Sequence, residues 1–115
     1  MNPPTHMRAL LAVPDAGGGR YQTMEVAVPR PGPHEVLVEV KASALNRGEA
    51  NALARLKDPA ARPAAAGIEF AGVVVGVGEA VTRWQIGDEV MARARGGFAQ
   101  FALANERALL RKPAR

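Results

Sequence analysis

A mainly β, barrel-like domain of short strands with one short helix is what this sequence predicts. Three observations predict it. About seven short runs are either apolar or alternating, and glycine- or proline-marked turns recur roughly every 8–12 residues. Only one segment carries both a helix-start signal and helical spacing. With 115 residues the chain is long enough for one domain with a modest core.

Met1-Asn2-Pro3-Pro4-Thr5-His6 has no basic-then-apolar pattern and reads as a disordered lead or an expression remnant, with the domain expected over residues 7–115. Met7 to Val13 is a short apolar strand. Pro14 to Gly19 holds three consecutive glycines and must turn. Tyr21 to Val28 alternates and is expected to pair back as a hairpin. Pro29-Arg30-Pro31-Gly32-Pro33 is stiff, because each proline fixes φ and removes a donor. Glu35 to Ser43 has the clearest period of two. Val36, Val38, Val40 and Ala42 share one face; Glu35, Glu39, Lys41 and Ser43 share the other, with Leu37 as the exception.

A helix follows. Asn46 is a good N-cap, and Glu49 three residues on completes a capping box. Ala50, Leu53, Ala54 and Lys57 lie on one face, extended by Leu56. Pro59 and Pro63 then force a loop through Ala64-Ala65-Ala66. Gly67-Ile68-Glu69-Phe70-Ala71-Gly72 leads into the β-branched run Val73-Val74-Val75, which reads as a strand buried on both faces. Gly76 and Gly78 interrupt it, as a bulge or a close backbone approach would. Gly87-Asp88 turns into a strand from Glu89 to Ala94. Gly96-Gly97 turns again, Phe98 to Leu103 is a strand, and Leu109-Leu110 a short last one.

Gly76-x-Gly78 is not a dinucleotide fingerprint. That motif needs a third glycine and a helix to receive the pyrophosphate. Val81 holds the third position, and Thr82 to Gln85 leads straight to the Gly87-Asp88 turn.

The net charge of +4 is spread over scattered arginines, and only Trp84, Tyr21 and three phenylalanines are aromatic. Nucleic-acid binding needs a basic stripe with stacking rings, so no nucleic-acid partner is expected. No apolar run is long enough to span a bilayer, so no membrane partner is expected either. The absence of cysteine removes disulfides, thiolate zinc sites and cysteine nucleophiles, and fits a reducing compartment. His6 lies in the lead and His34 in the proline-rich connector, where an exposed, idle side chain is expected. No histidine pair has ligand spacing, so no metal is expected. Glu69 is the carboxylate in apolar surroundings; a group so placed shifts its pKa or finds a partner. A site role and a purely structural pairing both stay open for it.

Several stretches, taken in order, resemble the N-terminal GroES-like catalytic domain of the medium-chain dehydrogenase/reductase superfamily. They are Met7-Arg8-Ala9, Pro29-Arg30-Pro31-Gly32, the Val36-Leu37-Val38 strand and Ala42-Ser43-Ala44-Leu45-Asn46. Gly67 to Gly72, Val77-Gly78, Gly87 to Val90 and Gly96-Gly97-Phe98-Ala99 complete the series. The resemblance covers Met7 to Pro113 and implies a GroES-like, partly open barrel. Zinc alcohol dehydrogenases carry a cysteine ligand where this chain has Asn46, and a histidine ligand where it has Ile68. Many also insert a four-cysteine lobe where only Met91 to Arg95 stand here. Leu-Asn and Gly-Ile-Glu are typical of the zinc-free quinone oxidoreductase branch.

That resemblance implies hydride transfer from NADPH to quinones or other conjugated carbonyl compounds, without zinc, in a cytoplasmic enzyme. Carried over by position, Asn46 is a catalytic and cofactor-binding residue near the nicotinamide, Glu69 a catalytic residue beneath the same cleft, and Glu49 a supporting residue behind Asn46. The helix N-cap role of Asn46 competes with the cleft role, and both can hold together. Many relatives have a tyrosine soon after the helix; Lys57 to Ala66 contains none, which leaves the proton donor unassigned. Family chains continue into a Rossmann domain, so this chain is expected to be a fragment that is inactive alone, with a homodimer among the expectations for the full-length protein. The alternative is a stand-alone GroES-like binding or assembly module, since fold does not fix function.

Overall fold

The computed structural model describes residues 3–114. Strands β1 (His6–Val13) and β2 (Arg20–Ala27) form the expected hairpin. β3 (Glu35–Ser43) runs into helix α1 (Arg47–Ala54). β4 (Ala64–Ala65), β5 (Glu69–Val77), β6 (Glu89–Arg93) and β7 (Phe101–Asn105) follow. A 3-10 turn (Glu106–Ala108) leads into β8 (Leu109–Arg111). The fold is mainly β, with one α-helix among the described residues.

Two antiparallel sheets result, a three-stranded one ordered β2-β1-β4 and a five-stranded one ordered β7-β3-β5-β6-β8. The Leu10 N–H donates to the Phe98 carbonyl at 2.7 Å, the Gln100 N–H donates to the Arg8 carbonyl, and Ala9 bridges Ala99. These bonds join the flank of β1 that short β4 leaves unpaired to the segment before β7, and curl the whole into a partly open barrel of the GroES-like kind.

The period of two in β3 sorts its side chains between two cores. Val36 and Val38 are fully buried with Phe70, Val74, Val90 and Ala104 inside the five-stranded sheet's curl. Each such valine stabilises the fold by about 1.5–3 kcal/mol on leaving water. Leu37 faces the other way and is buried with Met7, Ala9 and Phe101. It breaks the polar pattern of its face because the β1–β2 hairpin covers that end of β3. Glu39 and Lys41, further along, reach solvent and pair with each other at 2.9 Å.

Several expectations are corrected. Thr5 and His6 do not trail from the domain: His6 opens β1, and the Val28 N–H donates to the Thr5 carbonyl. Met1 and Asn2 lie outside the described residues. β5 is fully buried on one face only, at Phe70, Gly72 and Val74, with Val73 and Val75 half-buried. Val75 is skipped in the pairing with β3, which is the irregularity anticipated near Gly76. Gly78 packs its Cα against the backbone of Gly32 and Pro33, so closely that no side chain fits there. The strand expected from Phe98 begins instead at Phe101, because Phe98 and Gln100 spend backbone groups on β1. Ala64-Ala65 forms β4 against Leu11 and Ala12 where a loop was expected. The apolar face of α1 stays largely exposed; the residue the helix buries is Glu49.

Candidate active site

Three short segments meet at the N-terminus of α1. Asn46 caps the helix with extended backbone (φ −113°, ψ 153°). Its N–H donates to Glu49 Oε2 at 2.8 Å, the return half of the expected capping box. The other carboxylate oxygen, Oε1, accepts the Ile68 N–H at 3.2 Å. Glu49 is only 7% exposed, so both of its oxygens are spent on backbone donors rather than water. One side chain thus fixes the helix start and the entry to β5 together.

Gly67, just before Ile68, has φ +89°, a conformation open to glycine at little cost. Its carbonyl accepts the Gly96 N–H at 2.9 Å, and the Ala66 carbonyl accepts the Phe98 N–H at 3.0 Å. A Cβ on Gly67 would press into the Phe98 ring and backbone. The Gly96-Gly97 turn therefore clasps the Gly67 turn, and Ile68 emerges with its side chain partly exposed.

The side-chain nitrogen of Asn46, Nδ2, is buried without a hydrogen-bond partner among the described groups. An amide N–H left unpaired in the interior costs free energy unless something accepts from it. Glu69 stands at the first position of β5, opposite Arg93 on β6, and is half-buried. Its carbonyl accepts the Ala44 N–H at 3.3 Å, which ties β5 to the turn before Asn46. Glu69 lines a separate open hollow with Ser43, Ala44 and Met91. The buried carboxylates are not Glu69 but Glu49 and Glu106.

Glu106 lies far from this cluster, in the 3-10 turn. Its Oε2 meets His34 Nδ1 at 3.0 Å and its Oε1 accepts the Thr82 N–H at 3.4 Å, while its carbonyl accepts the Trp84 indole N–H at 2.8 Å. The hydrogen bond from His34, above all, holds its carboxyl below the usual carboxylate range, against the opposing effect of burial. His34, expected to be exposed and idle, is 65% exposed yet pins this turn.

Two neighbours of the site were not anticipated. Tyr21 on β2 sits edge-to-face on Phe98, with centroids 5.8 Å apart, and its hydroxyl donates to the Glu49 carbonyl at 3.5 Å. Burial, and then the negative charge of Glu49, push its pKa up. Arg95 lines the same cavity as Tyr21, Glu49 and Ile68. No local pattern marks either residue; the only sequence signal is that Tyr21 is the sole tyrosine of the chain.

At the two positions discussed for zinc, the donors do not suit that metal: Asn46 offers an amide and Ile68 offers no donor atom. Among the described residues no three histidine, cysteine, aspartate or glutamate side chains converge. No helix among them is long and apolar enough to cross a membrane.

Residues 32–114 match the family model described as alcohol dehydrogenase GroES-like domain. A trans-enoyl reductase (grgB) of a Penicillium species is 37% identical over 112 residues, covering 90% of this chain and 30% of the relative. The chloroplastic quinone-oxidoreductase QR1 of Triphysaria versicolor is 32% identical over 106 residues, covering 84% and 32%. The crystal structure of a quinone oxidoreductase from Pseudomonas syringae pv. Tomato superposes with a TM-score of 0.83 at 26% identity, covering 94% of this chain and 34% of that one. The chain spans about a third of the length of these relatives.

Proposed function

This chain belongs to the alcohol dehydrogenase GroES-like domain family of medium-chain dehydrogenases/reductases, and from that premise we propose that it is the catalytic-domain part of an oxidoreductase that reduces quinones or other conjugated carbonyl compounds with NADPH. The unpartnered amide of Asn46 is the observation that carries the reading. It is a buried hydrogen-bond donor at a helix N-cap, held beside Ile68 by the Glu49 carboxylate. Such a donor fits an acceptor brought from outside the chain, either a nicotinamide carboxamide or a substrate carbonyl.

Bound NADPH supplies the hydride. Asn46 donates a hydrogen bond that orients the acceptor, and Glu49 keeps Asn46 and Ile68 at fixed spacing. Ile68 contributes an apolar wall, so the zinc-free reading rests on donor chemistry. Glu69 lines the neighbouring hollow with Ser43 and Ala44, so any charge it contributes acts from beside the cluster rather than within it. The cofactor's main site is proposed to lie on a Rossmann domain, a homodimer is proposed for the full-length enzyme, and a cytoplasmic setting accords with the lack of cysteine.

The test is to express the full reading frame that contains this chain and follow NADPH oxidation with duroquinone. Saturable turnover that an Asn46→Ala variant loses is the expected result. A frame that closes without a dinucleotide-binding domain, or a full-length protein without turnover, would favour the binding-module alternative.

A further inference from the structure

Helix α1 is too short to stand by itself: it has eight residues, and an isolated helix needs about 12–15 in water. Packing does not make up the difference. Ala50, Asn51, Ala52 and Ala54 are exposed, Leu53 is half-buried, and the residue the helix buries is Glu49. From Arg55 to Pro63 the chain is exposed except at Leu56. This segment is therefore held at its ends.

The two ends are held by unlike means. At the N-terminus the buried Glu49 carboxylate accepts the Asn46 and Ile68 N–H groups at 2.8 and 3.2 Å, and hydrogen bonds to a charged acceptor are the stronger kind. At the far end the β1–β2 turn supplies the donors. The Gly19 N–H donates to the Leu53 carbonyl at 2.8 Å, and the Asp15 N–H to the Leu56 carbonyl at 2.9 Å. Both are neutral backbone bonds. A Cβ at Gly19 would lie 2.8 Å from the Leu53 carbonyl oxygen and 2.9 Å from Leu56 Cβ, so a side chain there pushes the turn and the helix apart. A Cβ at Gly17 meets nothing.

Beneath this segment lies a cavity of about 210 Å³, walled by Tyr21, Glu49, Leu53, Leu56, Ala64 and Ile68 among others. It adjoins the Asn46 cluster, yet it is smaller than the roughly 300–1,000 Å³ of small-molecule sites. Leu53 and Leu56 form its wall on the helix side, at the weakly held end.

We propose that the segment from Arg47 to Pro63 is a flap over this cavity, hinged at Asn46 and Glu49 and latched at its far end by the backbone N–H groups of Asp15 and Gly19. Releasing the latch moves Leu53 and Leu56 outward and admits a molecule larger than the closed space holds. The hinge meanwhile keeps Asn46 and Ile68 in place. This access role rests on the site proposed above, not on its chemistry.

The test is amide hydrogen exchange of this chain, resolved by residue. The N–H groups of Asp15, Arg55 and Leu56 should exchange at least about a hundredfold faster than those of Val40 and Val74 in the sheet, and with little dependence on urea, because a local opening exposes little surface. Those of Asn46 and Ile68 should stay slower than Leu56. Val38→Ala, which weakens the core, should speed Val40 and Val74 and leave the three flap amides alone; the urea dependence decides if that variant does not fold. Gly19→Ala should speed the flap amides by roughly fivefold or more, as lost backbone hydrogen bonds would, whereas Gly17→Ala should not. The chain has no cysteine, so Ala64→Cys gives one thiol in the cavity wall. Its labelling by fluorescein maleimide should quicken in the Gly19→Ala background by the same factor as Leu56 exchange. Leu56 exchanging only with the sheet, Asn46 and Ile68 opening as fast as Leu56, the two glycine variants acting alike, or labelling that ignores Gly19→Ala would each overturn the proposal. Neither readout uses a cofactor, so its failure and that of the reductase reading are told apart.

Discussion

The Glu49 carboxylate accepts the Ile68 N–H at 3.2 Å while its other oxygen holds the Asn46 N–H at 2.8 Å. One buried side chain therefore sets the distance between the helix cap and the start of β5. Glu49→Gln keeps the shape but replaces one acceptor oxygen with a donor. One backbone N–H is then left unsatisfied, at a cost of about 1–3 kcal/mol. Thermal unfolding should show a melting temperature lower by several degrees; an unchanged melt would mean that water replaces the lost acceptor freely.

Asn46→Asp separates the cap from the cleft role in the full-length enzyme. Aspartate caps as well as asparagine, and its charge suits the helix dipole. Ionised, it cannot donate a hydrogen bond. Near-native melting with most of the hydride-transfer rate lost is expected. Wild-type kinetics would reduce Asn46 to a cap.

Tyr21 can be titrated without interference, since the chain has no other tyrosine. Ultraviolet absorbance should give a midpoint above the ordinary 10.0. Burial is the larger cause and Glu49 the smaller, so Glu49→Gln should remove only part of the shift. The folded state resists ionising this phenol, so stability should decline as pH rises past about 10. A midpoint at the ordinary value would show that neither burial nor Glu49 acts on this phenol, and one below it that a cation or donor stabilises the phenolate.

How much of this could be read in the chain depends on how local each cause is. β3 was legible because its valines alternate within nine residues. The Asn46–Glu49 box was legible because a cap and its partner are three residues apart. Leu37 was not, because the hairpin that buries it comes from another part of the sequence. β4 is two alanines with no pattern at all, and only Leu11 and Ala12 make it a strand. The tie from Glu49 to Ile68, the seat of Tyr21 and the reach of Arg95 all depend on elements that meet only once the barrel closes. Glu69 looked like the buried carboxylate because its sequence neighbours are apolar, but as the first residue of a strand it stays half-buried.

Glu106 should give the fold an acid limit. Its carboxyl is held low by His34 in the folded state, so the stability it contributes is present above the ordinary carboxylate pKa, 4.5, and is lost as pH falls from there through the lowered value. His34→Ala should flatten that acid-side loss in denaturant titrations compared across pH. An identical slope in both proteins would show that His34 is not the cause.

Zinc should be absent from the purified protein. Elemental analysis without a histidine tag is expected to find no stoichiometric metal, since Asn46 and Ile68 stand at the positions where ligands would be needed. One zinc per chain would move the protein to the other branch of its family.

β3 lies between β5 and β7, and its partner on one side, from Phe101 to Asn105, comes late in the chain. During synthesis the hairpin and the β3–β5 pair can form while that flank of β3 still exposes its backbone donors and acceptors. Until the ribosome releases β7, the nascent chain presents an open sheet edge of the kind that recruits other strands. Closing it requires bringing distant segments together, which makes for slow folding. Translation that stops short of Phe101 would thus leave a sticky intermediate, and the last few strands act as the lid on aggregation.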